Sequence, residues 1–184
     1  MSLAIAIPSP SARGFALSHD RVAVETELSA LVSPPGTSRT PFRDAMHYAA
    51  LGSGQRLRPI LSLRTARALG IESALTLRAA AAVELIHCAS LIVDDLPCMD
   101  NEAERRGRPT THTVYGEPTA LLAAFGLVGL AGRCLLTMNH DPSACATILH
   151  FQSHLLGSLD ASGLCEGQDL DLRLQGTDRA LLRS

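Results

Sequence analysis

At 184 residues, with 46% apolar and 18% charged side chains and a net charge of −2, the chain has the composition of a soluble globular protein able to bury one sizeable core. It lacks the basic excess of a nucleic-acid-binding domain. Aromatic residues make up 3% and Trp is missing, so Leu and Ala must fill the interior; all sixteen basic residues are Arg, which we read as coding bias.

Residues 1–19 read as a flexible N-terminal segment. Their short apolar run, Leu3 to Ile7, has no basic residue before it and does not make a secretory signal. Residues 20–184 read as one domain, because no internal repeat or second composition appears. Apolar residues recur at three- and four-residue intervals, as at Val24, Leu28, Leu31 and Val32, while alternating runs are scarce, which predicts an all-α fold. Ser33 to Gly36 is a loop, Thr40-Pro41 a cap and first turn, and Gly52 and Gly70 helix stops. Ser73 caps a long helix ending near Asp95 to Leu96, since Pro97 cannot donate the bond that would continue it. Further helices are expected from Pro118 and Pro142. The apolar stretch Thr119 to Gly132 is shorter than a bilayer crossing and Arg133 interrupts it, so no transmembrane segment is expected. The five cysteines, at 88, 98, 134, 145 and 165, form no Cys-x-x-Cys pair, so neither a disulfide framework nor a zinc site is expected and a cytoplasmic location fits.

The chemistry is concentrated between residues 94 and 108. Asp94, Asp95 and Asp100 lie at the end of a strongly apolar segment, followed by Arg105-Arg106. Crowded carboxylates repel unless a cation compensates them, and Mg2+ prefers oxygen ligands while keeping positions for water or substrate phosphate. Guanidinium groups grip phosphate oxygens in pairs. The segment therefore reads as a site for magnesium and diphosphate. His87 is seven residues before Asp94 and nearly on its helix face, with Ser90 between. On spacing alone, such a His is more often a satisfied core residue than a functional one. Gly54-Gln55-Arg56-Leu57-Arg58-Pro59 joins two cations to a glycine turn and a helix-opening proline, which favours phosphate, although alone it is a common surface pattern.

Taken together, these segments resemble the trans-isoprenyl diphosphate synthases, or polyprenyl synthetase family, and most of all the bacterial geranylgeranyl diphosphate synthases of carotenoid pathways. The resemblance runs over about residues 40–172 and is carried by Gly54 to Pro59, Val83 to Leu91, Asp94 to Arg108, Pro109 to His112, Tyr115 to Glu117, and Gly167-Gln168 with Asp171-Leu172. It implies an isoprenoid synthase type helical bundle and head-to-tail condensation of isopentenyl diphosphate with an allylic diphosphate, farnesyl to geranylgeranyl. By that resemblance Asp94, Asp95 and Asp100 hold Mg2+ against the allylic diphosphate, which Arg105 also touches, while Gln55, Arg58, His87 and Arg106 bind isopentenyl diphosphate. The small Ala89 and Ser90 would leave the chain-length pocket open to a C20 product.

Three departures from the family pattern stand out. Gln55 occupies a position where the family usually has Lys, which should weaken isopentenyl diphosphate binding. Ala124-Phe125 replaces a common Gly-Asp. The second aspartate-rich motif, expected beyond the Gly-Gln segment, is missing, so the bundle is expected to be incomplete at the C-terminus, with apolar faces left for a partner. A homodimer, or a heterodimer with a full-length synthase, would cover them, and a non-catalytic partner subunit is the alternative role. A class I terpene cyclase shares the aspartates but has no use for Arg58, His87 and Arg106.

Overall fold

The computed structural model describes residues 10–138 and 141–181. Helix α1 (Pro10–Val32) is followed by α2 (Pro41–Ala50), α3 (Leu57–Ala68) and the long α4 (Ala74–Asp94). After a two-stranded hairpin, β1 (Glu104–Arg105) and β2 (Arg108–Pro109), come the short α5 (Thr111–Tyr115), α6 (Glu117–Arg133), a 3-10 turn (Pro142–Ala144), α7 (Cys145–Gly157) and α8 (Leu164–Leu181). The N-terminal segment expected to be flexible is already helical from Pro10, and residues 1–9 lie outside the described residues.

The helix boundaries follow from local chemistry. The hydroxyls of Thr40 and Ser73 accept from the amides of Arg43 and Thr76, and each satisfies one of the orphan donors of its helix. α3 closes in a Schellman motif, with Gly70 at φ +74°, Gly70 N donating to Arg67 O and Ile71 N to Ala66 O. Ser73→Ala should cost about 1 kcal/mol and lower the melting temperature by ~2–4 °C in a thermal scan.

α4 is the axis of the bundle and packs most heavily on α6, then on α3 and α1. Both partners of the α4–α6 contact are rich in fully buried alanine, including Ala81, Ala82, Ala120, Ala123 and Ala131, which lets the two helices approach closely around Leu85 and Leu127. By length and composition α4 could cross a membrane, yet half of that window is buried in the bundle, as expected of a core helix. Asp20, fully buried on α1, accepts from Arg64 Nε and Arg67 Nη1 at 2.5 Å each, tying α1 to α3. Burial alone would raise its pKa, but the hydrogen bonds from Arg67 and Arg64 hold the carboxyl below its ordinary value. No disulfide forms among the described residues, and Cys88 and Cys134 are buried.

Helices α6 to α8 keep large apolar side chains exposed, including Leu122, Phe125, Leu149, Leu170 and Leu174. Other large apolar side chains are exposed on α1 and α3, Val22, Leu57 and Leu61 among them, so this exposure extends beyond one face.

Candidate active site

α4 stops where Pro97 predicts, at Asp94 with Asp95 as the C-cap, and the chain then folds back onto the helix end. The amide of Asp100 donates to Asp94 O at 3.0 Å and that of Glu102 to Asp95 O at 3.2 Å. These bonds satisfy terminal carbonyls and bring a third aspartate back beside the first. The carboxylates sit at the negative end of a helix dipole, which adds to their mutual repulsion.

Arg105 supplies the counter-charge. Its Nε donates to Asp95 Oδ1 at 2.6 Å and its Nη2 to Asp94 Oδ2 at 3.2 Å, so one guanidinium bridges both aspartates. From α8, Gln168 Nε2 donates to the other oxygen of Asp94 at 2.6 Å. Burial and then the charge of Asp100 push the Asp94 carboxyl above its usual range, with Asp171 contributing, against Arg105 and Gln168. Asp95, itself buried, is also raised, mainly by desolvation and despite Arg105. Among the described residues no group of three or more acidic, His or Cys side chains is already gathered into a metal-holding arrangement. The donor chemistry nevertheless suits a hard divalent ion, because it offers only oxygen ligands in a cluster whose ionised form is under-compensated.

Beside the aspartates a cavity of about 100 Å³ is lined by Gly54, Arg56, Glu84, His87, Asp95, Arg105, Arg106 and Arg108, among others. Its four arginines fall into two kinds. Arg105 is neutralised by the aspartates, and Arg56, buried at φ +55°, by Glu84 at 3.0 Å. Arg106 and Arg108 form no ion pair with a carboxylate among the described residues and leave the cavity positive. The missing side chain at Gly54 gives room for this crowding: a Cβ there would lie 3.0 Å from Arg56 Nη1 and 3.6 Å from Arg106 Nη1.

His87 lines the same cavity, and Arg58 Nη1 lies 3.2 Å from its Nε2. Because a guanidinium can only donate, Nε2 accepts and the ring proton sits on Nδ1. Burial, reinforced by Arg58, lowers the imidazole pKa and keeps it neutral near pH 7.

The structure therefore brings together Asp94, Asp95, Arg105, Arg106 and His87, with Arg58 in contact through His87. Asp100 is exposed but close enough for its charge to act on Asp94. Gln55 is exposed on its loop and does not line the cavity. Ala89 is packed into the core, and Ser90 spends its hydroxyl on His87 O at 2.8 Å, so neither lines the cavity beside the arginines. Three participants were given no role by the sequence reading: Gln168, Arg108 and Glu84. All three did stand inside segments that carry the resemblance, Gly167-Gln168, Asp94 to Arg108 and Val83 to Leu91.

The polyprenyl synthetase family model matches residues 39–181. The chain belongs to this family. It is 42% identical over 137 residues to a heterodimeric geranylgeranyl pyrophosphate synthase large subunit of Arabidopsis thaliana, covering 74% of this chain and 36% of that protein. It is 38% identical over 161 residues to the farnesyl diphosphate synthase of Geobacillus stearothermophilus, covering 87% and 54%. Among solved structures, the geranyltransferase of Legionella pneumophila superposes with a TM-score of 0.82 at 34% identity, over 88% of this chain and 57% of that one. The all-α bundle of the isoprenoid synthases is thus confirmed, with the small hairpin as its one non-helical element among the described residues. The chain spans between about a third and somewhat over half the length of these relatives.

Proposed function

We propose that this chain forms the part of a prenyltransferase active site that grips two diphosphates, for head-to-tail condensation of isopentenyl diphosphate with an allylic diphosphate, farnesyl to geranylgeranyl. The observation that carries this reading is the Arg105 bridge across Asp94 and Asp95, placed directly beside a cavity in which two further cations, Arg106 and Arg108, form no ion pair with a carboxylate among the described residues.

Asp94 and Asp95, with Asp100 returned beside them, would hold Mg2+. Bound there, the ion would neutralise charge developing on the departing allylic diphosphate. Arg105 then becomes available to the same diphosphate, since its present partners are the aspartates the metal would engage. Arg106, Arg58 and neutral His87 would orient the second diphosphate, two through full charges and His87 through its Nδ1 proton. Small side chains at Ala89 and Ser90, one to two turns before the aspartates, leave no ring to block a lengthening product. The reaction is assigned to the cytoplasm, in keeping with cysteines that form no disulfide among the described residues.

A second reading is a non-catalytic subunit that pairs with an active synthase, favoured by the exposed apolar side chains of α6 to α8. Incubating the chain with Mg2+, radiolabelled isopentenyl diphosphate and farnesyl diphosphate separates the two. A C20 product establishes the prenyltransferase. Metal-dependent diphosphate binding without product, together with a mixed dimer on gel filtration with a full-length homologue, establishes the subunit.

A further inference from the structure

The turn that carries Arg105 and Arg106 is tied on its aspartate side by the Arg105 bonds to Asp94 and Asp95, but its own ladder cannot hold the rest in place. Its ladder is two residues long on each side, Glu104 opposite Pro109 and Arg105 opposite Arg108, and hairpins of this size are unstable alone. Arg106 and Gly107 at the turn both have positive φ, 55° and 75°, the I′ geometry that Arg adopts at a cost. Arg106 and Arg108, neither of them in an ion pair among the described residues, also repel one another across a small cavity.

On the opposite side the turn is held by Tyr48, in the last turn of α2. Its hydroxyl donates to Pro109 O at 2.8 Å. The Arg108 guanidinium lies 3.4 Å above its ring centroid, and Arg108 Nη1 donates back to Tyr48 O at 3.1 Å. Tyr115 buttresses the ring edge-on at 5.5 Å. Gly52 keeps the approach open, since a Cβ there would stand 3.1 Å from Arg108 Nη1. Tyr48 thus joins the Gly52 to Gly54 loop side of the cavity to the arginine side through three contacts, two from its side chain and one from its backbone carbonyl. It does so with a π face and neutral oxygens, so Arg108 is held without losing its positive charge.

We propose that Tyr48 and Arg108 are positioning residues, a clasp that fixes the Arg105-Arg106 turn over the cavity and so sets its affinity for diphosphate. This rests on the cavity being a diphosphate site, as read above.

The test is calorimetric titration of the chain with inorganic pyrophosphate in the absence of metal, with melting temperatures measured in parallel. Arg108→Met should weaken binding about 10-fold, the scale of a desolvated cation–π contact. Tyr48→Phe, which keeps the ring and loses one neutral hydrogen bond, should weaken it about 3-fold. Arg108→Lys should recover most of the loss, because it restores a cation over the ring, and all three should melt close to the parent. The reference variant Arg106→Gln removes a cavity cation outright and should weaken binding more than any of them. Parental affinity in Tyr48→Phe, with Arg106→Gln impaired, overturns the clasp even where Arg108→Met binds weakly, because Arg108 then acts only as a direct cation of the cavity. Parental affinity in Arg106→Gln overturns the diphosphate reading of the cavity and the clasp with it.

Discussion

Asp94→Asn is expected to abolish most Mn2+-dependent pyrophosphate binding while leaving the chain as stable as the parent or slightly more so. The substitution keeps shape and can still accept from Gln168, so the contact between α8 and the end of α4 survives. What it removes is one negative charge from the group that would hold the metal. Loss of an outer partner of a metal site typically costs ~10–100-fold in affinity, so loss of a direct ligand charge should cost at least about 100-fold. The stability side follows from linkage. The carboxyl pKa of Asp94 is raised in the fold, above all by burial and Asp100, so the folded state binds the extra proton and stability falls as pH rises through the window above the ordinary carboxylate value. Above that window the cost is present, and Asn removes it. The same sign applies to the metal: binding requires the ionised form, so affinity should decline on acidification earlier than an ordinary aspartate would dictate. Calorimetric titration at pH 7.5 and pH 5.5, with thermal scans of both proteins, checks each part; undiminished metal-dependent binding by Asp94→Asn would remove Asp94 from the site.

The largest expected effect on folding comes from Glu84→Ala. Arg56 and Glu84 are both almost wholly buried and meet at 3.0 Å, and Arg56 Nη2 donates to Gly52 O at 3.0 Å. Arg56 Nε already has no hydrogen-bond partner among the described residues, with Glu25 of α1 3.8 Å away. Removing Glu84 leaves a buried guanidinium without its main counter-charge, which costs about 3–5 kcal/mol and lowers the melting temperature by roughly 10 °C. The loop from Gly52 to Gly54 should loosen with it, so pyrophosphate affinity should fall as well. Replacing both partners, Arg56→Met with Glu84→Leu, should recover much of the stability, since a buried pair contributes less than the penalty of leaving one member alone. Urea denaturation of the parent, single and double variants measures this directly, and additive losses in the double variant would contradict it.

The Gly54 to Pro59 segment shows where sequence reasoning reaches its limit. Two arginines at positions 56 and 58 look equivalent as phosphate ligands along the chain. In the fold one is buried against Glu84 and builds the loop, while the other is exposed and meets His87. The difference lies in which residues of α4 face the loop, a register set by packing between helices. Ala89 and Ser90 make the same point: their size is legible in the sequence, but whether they border a cavity depends on what lies opposite. The hairpin was illegible for another reason, because strands of two residues carry no periodicity.

By itself the sequence determined what depends on neighbours along the chain. Caps at Thr40 and Ser73, the stop at Gly70 and the end of α4 before Pro97 all arise from hydrogen bonds made within a turn or two. The nearness of Asp94, Asp95 and Arg105 follows in the same way from a short connection. Only the tertiary structure decided which cations are already neutralised and which remain for a ligand. It set Gln168 against Asp94 across 74 positions and Tyr48 against Arg108 across 60. Charge pairing over such distances is fixed by how the helices pack, and no local preference encodes it.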